Sequence, residues 1–152
     1  RARAEQAARQ LRRTFVELND EYEGLHLVEH VLLRPLNPHS ESHRQLGRPS
    51  DFYTLRLTAV MPDWTVRTHQ KPFRRLAEET LRLNAPAHLE VQALWLGYAE
   101  MVTFERVYLH WLEQRRAWCR AGPQDDVAAL VQELDAAACE LIGLLPPGGP
   151  VT

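Results

Sequence analysis

Lysine is nearly missing from this chain: Lys71 is the single one, and seventeen arginines supply the rest of its basic residues. That bias fits a GC-rich coding genome, and it leaves planar, always-charged side chains suited to protein contacts. Strong charge of either sign is also missing. Eighteen basic residues stand against twenty acidic ones, a net charge of -2, which argues against a dedicated polyanion binder. Cysteine is scarce, and Cys119 and Cys139 lie outside any CxxC or Cys/His spacing, so neither a disulfide scaffold nor a zinc knuckle is encoded. No apolar run reaches the ~18 residues that a membrane span needs, and no signal-peptide pattern opens the chain. A soluble cytosolic product with no membrane insertion is the expectation.

Enzyme signatures are absent where sequence can reveal them. There is no GxSxG elbow, Walker loop, GxGxxG or HExxH, and neither cysteine has an adjacent base and orienting group. No enzyme, no catalytic residue and no cofactor is therefore expected. His26/His30 and His39/His43 have the H-x-x-x-H spacing of helical metal ligands. On a strand, however, His26 and His30 would be about 13 Å apart at ~3.3 Å per residue, too far for one zinc. The second pair falls in a loop, and His88 and His110 stand alone, so no metal is expected.

What is present is enough for one core. The 152 residues are 45% hydrophobic, 25% charged and 8% aromatic, the profile of an ordinary domain that buries roughly two-thirds of its unfolded surface. Ala4, Ala7, Ala8, Leu11, Phe15 and Leu18 recur at helical spacing, so a helix is predicted over 1–20. Arg9, Arg12 and Arg13 flank its stripe. Because residue 1 is Arg and this helix begins at once, the chain reads as a piece of a longer protein. The β-branched and leucine-rich run 25–34 predicts a strand stopped by Pro35, and 35–51 a long polar loop usable for contact. Tyr53, Leu55, Leu57, Ala59 and Met61 alternate as a second strand over 53–61. Pro72 opens a helix over 72–84, and Leu89, Val91, Ala93 and Trp95 alternate as a third strand over 88–96. Strand, helix and strand make a βαβ unit, so the third strand should run parallel to the second and the first should be antiparallel.

A helix over 98–118 follows with an apolar arc of about 220° at 100° per residue, twice the ~100° that a surface helix needs. Either it is sandwiched within the chain, or part of it awaits a partner. Phe104, Val107, Trp111 and Trp118 are predicted to line a contact with the last helix or with that partner. Glu105 falls at about 100° on this wheel, between Met101, Tyr108 and Leu112 on one side and Tyr98 and Leu109 on the other. A buried ion pair with Arg74 or Arg56 is predicted for it, the alternative being a carboxylate reaching out to solvent. Gly122-Pro123 ends the helix, and Val127, Leu130, Val131, Leu134, Ala138, Leu141, Ile142 and Leu145 form a regular stripe.

The fold class expected is α+β: a small mixed three-stranded sheet with a βαβ unit, ferredoxin-like or a split sandwich, plus flanking N- and C-terminal helices. A single domain spans 1–145, with its core over 24–118 and its C-terminal helix over 124–145, and 146–152 form a tail.

Three blocks carry a likeness: Gly24-Leu-His-Leu-Val-Glu-His-Val-Leu-Leu-Arg-Pro35; Leu55-Arg-Leu-Thr-Ala-Val-Met-Pro-Asp-Trp64 with Phe73-Arg74 and Pro86-Ala-His88; and Trp95, Met101, Phe104-Glu105, Tyr108 and Trp111-Leu112. In their order and spacing, across residues 24 to 112, the chain resembles the terminal domain of baseplate-associated proteins encoded with phage-tail-like extracellular contractile injection systems. Leu141-Ile142 resembles the closing helix. That family usually ends on Tyr-Pro, where Pro146-Pro147-Gly148 stands here. The resemblance implies a structural protein of a contractile particle, made in a bacterial cytoplasm and assembled into the particle through other protein subunits, with no catalytic residues. The alternative from the residues is a nucleic-acid-associated module using the Arg-rich N-terminal helix. Retention on heparin or DNA at two salt concentrations separates the two, because phosphate binding falls steeply with salt. A small metal-dependent enzyme comes third.

Overall fold

The computed structural model describes residue 6 and residues 9–14, 16–17 and 23–147. Its elements are β1 (His26–Glu29), α1 (Glu41–Leu46), β2 (Arg56–Pro62), α2 (Lys71–Asn84), β3 (Glu90–Leu96), α3 (Tyr98–Arg120) and α4 (Val127–Leu144), with 3-10 turns at His30–Leu33 and Ser50–Tyr53. This is an α+β fold around a mixed three-stranded sheet of order β1-β2-β3. β1 and β2 pair antiparallel from His26↔Val60 to Glu29↔Leu57. β2 and β3 pair parallel from Arg56↔Glu90 to Pro62↔Leu96, so both strand directions follow the sequence expectation.

Register assigns the faces, because directly paired residues point the same way and successive ones alternate. One face carries Val28, Val60 and Leu94; α3 and α4 pack on it. There Val28, Val60, Met101, Phe104, Val107, Trp111, Leu134, Ala138, Leu141 and Ile142 form the buried core together with Leu33 and Phe52. The other face carries Leu27, Leu57, Val91 and Trp95, and α2 lies over its β3 side. Trp95 donates its indole N–H to Glu78 Oε1 at 2.8 Å, and the Arg74 guanidinium lies 5.0 Å from the Trp95 ring centroid.

Local chemistry sets the helix ends. Pro72 occupies the first turn of α2, where its missing N–H has no intrahelical role. The Glu100 carboxylate accepts from the Gly97 N–H at 2.9 Å at the start of α3, and Asp126 accepts from the Ala129 N–H at 3.1 Å at the start of α4. Gly47 closes α1 at φ 57°, a left-handed C-cap that glycine adopts without a Cβ penalty.

Three boundaries differ from the sequence reading. The first strand stops at Glu29, because a 3-10 turn buries both His30 and Leu33, which a strand would send to opposite faces. Residues 35–51 are a loop built around α1, not a bare one. The second strand starts at Arg56: a 3-10 turn buries Phe52 and Tyr53 together, and Leu55 then takes φ 54°, a left-handed conformation that costs a side-chain-bearing residue roughly 1–2 kcal/mol. The N-terminal stripe residues Ala4, Ala7, Ala8, Phe15 and Leu18 and the end of the tail, 148–152, lie outside the described residues. Residues 9–14 and 16–17 are helical, with Arg9, Arg12, Arg13 and Leu11 all exposed.

Candidate interaction surface

The over-wide arc of α3 divides in two. Phe104, Val107 and Trp111 are buried in the core, where α4 supplies Leu134, Ala137, Ala138 and Leu141. Trp118 is half-buried against the same cluster and lines a cleft of about 290 Å³ with Leu134 and Ala138. The four predicted residues thus pack within the chain. Tyr98, Val102 and Leu109, on the far side of the wheel, are exposed. The boundary between the two halves is Glu105.

Glu105 corrects the predicted ion pair. Its Oε1 lies 3.1 Å from His26 Nε2 and its side chain is 41% exposed, so the contact is neither buried nor made to an arginine. The layers explain why. Glu105 points along the sheet face that bears His26, whose ring also packs against Phe104 and Tyr108. Arg74 belongs to α2 on the opposite face, where it donates to the Thr68 and Asp63 carbonyls. Arg56 is a buried charge, but it pairs with Glu90 at 3.0 Å, its neighbour in register on β3.

Two histidines anchor the 30–53 segment from inside. His30 donates from Nδ1 to the Phe52 carbonyl at 2.9 Å, which leaves Nε2 to accept from the Thr58 hydroxyl at 2.8 Å. Burial pushes its pKa down, so the imidazole is held neutral in this tautomer. His43 shares a 3.2 Å hydrogen bond with the Tyr53 hydroxyl, and its Nε2 is buried without a partner. Burial lowers its pKa too, while the Asp135 charge pulls the other way. Asp135, 3% exposed, accepts from the Leu36 N–H at 2.9 Å and the Asn37 N–H at 3.1 Å. Burial and the Asp135 charge together push the neighbouring Cys139 thiol up to about 11, which keeps it protonated and unreactive at neutral pH. Arg48 reaches the carbonyls of Ile142 and Leu145, both at 3.2 Å, at the end of α4. The 35–51 segment is therefore docked onto α4 by side chains. Among the described residues, no cluster of three or more His, Cys, Asp and Glu could hold a metal ion, and no helix is long and apolar enough to cross a membrane.

Among the described residues, the apolar area left open lies at the β1–β2 end of the sheet face under α2, since Ala59 and Met61 on that face are buried. α2 buries none of its own residues and leaves the β1–β2 side open, where a cleft of about 420 Å³ is lined by Leu27, Val31, Tyr53, Leu55, Leu57 and Leu89 among others. A second cleft, of about 310 Å³, shares Leu27 and Leu57 and runs on to Leu81, Pro86 and Val91. Leu27 is 48% exposed and Leu25, Val31 and Leu55 are similarly open. Two charged groups rim the first cleft, Glu29 and Arg34. Contiguous exposed apolar area with a charged rim is the usual form of a protein contact surface. The sequence did carry a signal for it. The run 25–34 is apolar at both parities, Leu25, Leu27, Val31 and Leu33 as well as Val28 and Leu32, and a strand with that pattern has two faces to cover.

Fold and surface together define the class: a small α+β domain with a buried helical layer on one side of its sheet and, among the described residues, an open apolar patch on the other. Comparison with known proteins adds no family, since no family model and no curated protein matches the chain.

Proposed function

We propose that this chain is a non-catalytic assembly module of a contractile, phage-tail-like injection particle, held at the baseplate by contacts with other protein subunits. The open apolar patch around Leu27, Leu55 and Leu57 among the described residues is the observation that carries this reading, because a partner seated there would gain by removing that area from water. The likeness of residues 24–112 to terminal domains of baseplate-associated proteins supports the particular assembly. The chain is then made in the bacterial cytoplasm and carried into the particle.

The test is incorporation. Particles are purified from cells expressing the tagged chain or its Leu27→Glu, Leu55→Glu variant, which alters exposed side chains. The unaltered chain is expected to co-purify with the baseplate and the variant to stay behind while retaining its fold by circular dichroism. Particles that form an intact baseplate and contract normally without the chain would overturn the proposal.

A further inference from the structure

The free edge of the sheet points to a second kind of contact. In a parallel pair, each residue of one strand that faces its neighbour bonds to two residues of the other. Here the Glu90 N–H reaches the Leu55 carbonyl at 2.8 Å and the Leu96 carbonyl receives the Asp63 N–H at 2.9 Å. Residues 90, 92, 94 and 96 therefore satisfy β2, and Val91, Ala93 and Trp95 turn their N–H and C=O groups outward. β3 is an edge strand of seven residues, and among the described residues no segment pairs with that outer side. The usual protections of an edge are missing, since Glu90–Leu96 contains no proline, no lysine and no bulge.

Along this edge runs a groove of about 660 Å³, with Val91, Gln92 and Ala93 as its floor and Arg75, Glu78, Glu79 and Arg82 of α2 as its wall. We propose that the groove takes an extended segment of about five residues from another polypeptide, added as a fourth strand to β3. Length and charge both specify the occupant. Val91, Ala93 and Trp95 repeat every ~6.8 Å, the spacing of alternate residues in a strand. The wall presents positive, negative and positive charge over about 10.5 Å at 1.5 Å per helical residue. The matching segment carries an acidic, a basic and an acidic side chain at alternate positions toward α2, with β-branched residues between them. A second copy of this chain fits poorly. A two-fold axis through the groove would lay the order plus, minus, minus, plus against its own reverse and set like charges together.

This inference deepens the assembly-module reading and rests on it, yet its test is separate from particle incorporation. The isotope-labelled full chain is titrated with the capped peptide Thr-Asp-Val-Lys-Val-Glu-Thr, whose charge order is the same in either strand direction, and with its charge-swapped form Thr-Lys-Val-Asp-Val-Lys-Thr. The first peptide is expected to shift the amide signals of Val91, Ala93 and Trp95, to slow their hydrogen exchange, and to bind about tenfold more tightly than the second. The exposed double substitution Arg75→Glu, Arg82→Glu should reverse that preference. Peptides that leave the three amides unchanged, or that bind with equal affinity, would overturn the proposal. So would a concentration-dependent dimer that protects the same amides, because the occupant would then be a second copy.

Discussion

Replacing Asp135 by alanine tests how the 35–51 segment is held. The carboxylate is buried and each of its oxygens takes one backbone N–H, that of Leu36 at 2.9 Å and that of Asn37 at 3.1 Å. A hydrogen bond to a charged acceptor contributes about 1.5–3 kcal/mol. Water reaches part of this segment, since Leu36 and Asn37 are exposed, so the lower half of the summed range applies, about 3–4 kcal/mol. At roughly 2–4 °C per kcal/mol for a domain of this size, Tm should fall by about 6–16 °C. Asp135→Asn keeps one acceptor oxygen and should cost about half as much. Thermal melts by circular dichroism give the magnitude, and amide exchange at Leu36 and Asn37 gives the location. An independent readout is Cys139: without the Asp135 charge its thiol should titrate below its present value of about 11, visible as faster alkylation at alkaline pH. An Asp135→Ala chain melting within about 2 °C of the unaltered protein would refute this account of the docking.

The His26–Glu105 contact is half-exposed, so Glu105→Gln should cost under about 1 kcal/mol in urea denaturation, and a loss of 3 kcal/mol or more would mean that the pair is far better shielded. Acid should destabilise the chain through His30 and His43. Their folded pKa values lie below the ordinary 6.5, so below that pH the unfolded state binds more protons and stability falls by up to about 1.4 kcal/mol per pH unit for each histidine. Denaturation at pH 7.5 and pH 5 checks the sign, and greater stability at pH 5 would contradict it. Leu55→Gly should be neutral or stabilising by up to about 1 kcal/mol, because glycine adopts φ near +54° freely while the leucine lost is already exposed. A drop in Tm would show that the Leu55 side chain packs usefully in the cleft. Phe104→Ala, by contrast, should cost about 3–5 kcal/mol in the same melts, because it empties the centre of the core.

Periodicity alone was enough for the sheet. The alternation in Leu57, Ala59 and Met61 and in Val91, Ala93 and Trp95, with a helix between them, dictates a parallel pair, and the structure has it. Helix ends carry their own local chemistry in Pro72, Gly122 and Asp126, so α2 and α3 lie within two residues of the predicted bounds and α4 within three. The errors fall where tertiary contacts override local pattern. Phe52 and Tyr53 are adjacent yet both buried, because a 3-10 turn aims them inward together. Asp135 lies on an apolar helix face without comment from its neighbours, and its partners are backbone groups nearly a hundred positions away. The wheel puts Glu105 at the edge of the buried arc, where the structure has it, but one sequence does not say which layer lies over that angle. Nor does it say that Arg74, on α2, takes the opposite face of the sheet, or that Arg56, on the same face as α3, is already paired with Glu90.

The long-range clasp between the 35–51 segment and α4 also constrains the order in which the molecule can form. Leu36 and Asn37 meet Asp135 across 99 and 98 positions, and Arg48 meets Ile142 and Leu145 across 94 and 97. During synthesis, therefore, the sheet and α3 emerge from the ribosome before the helix that covers half of their core exists. Contacts of such separation are closed late and slowly, since the intervening loop must lose its freedom first. Until α4 is released, Phe104, Val107 and Trp111 have no lid, and the nascent chain exposes apolar surface on both sides of its sheet. A ribosome stalled before residue 127 would hold a chaperone substrate, not a smaller folded domain.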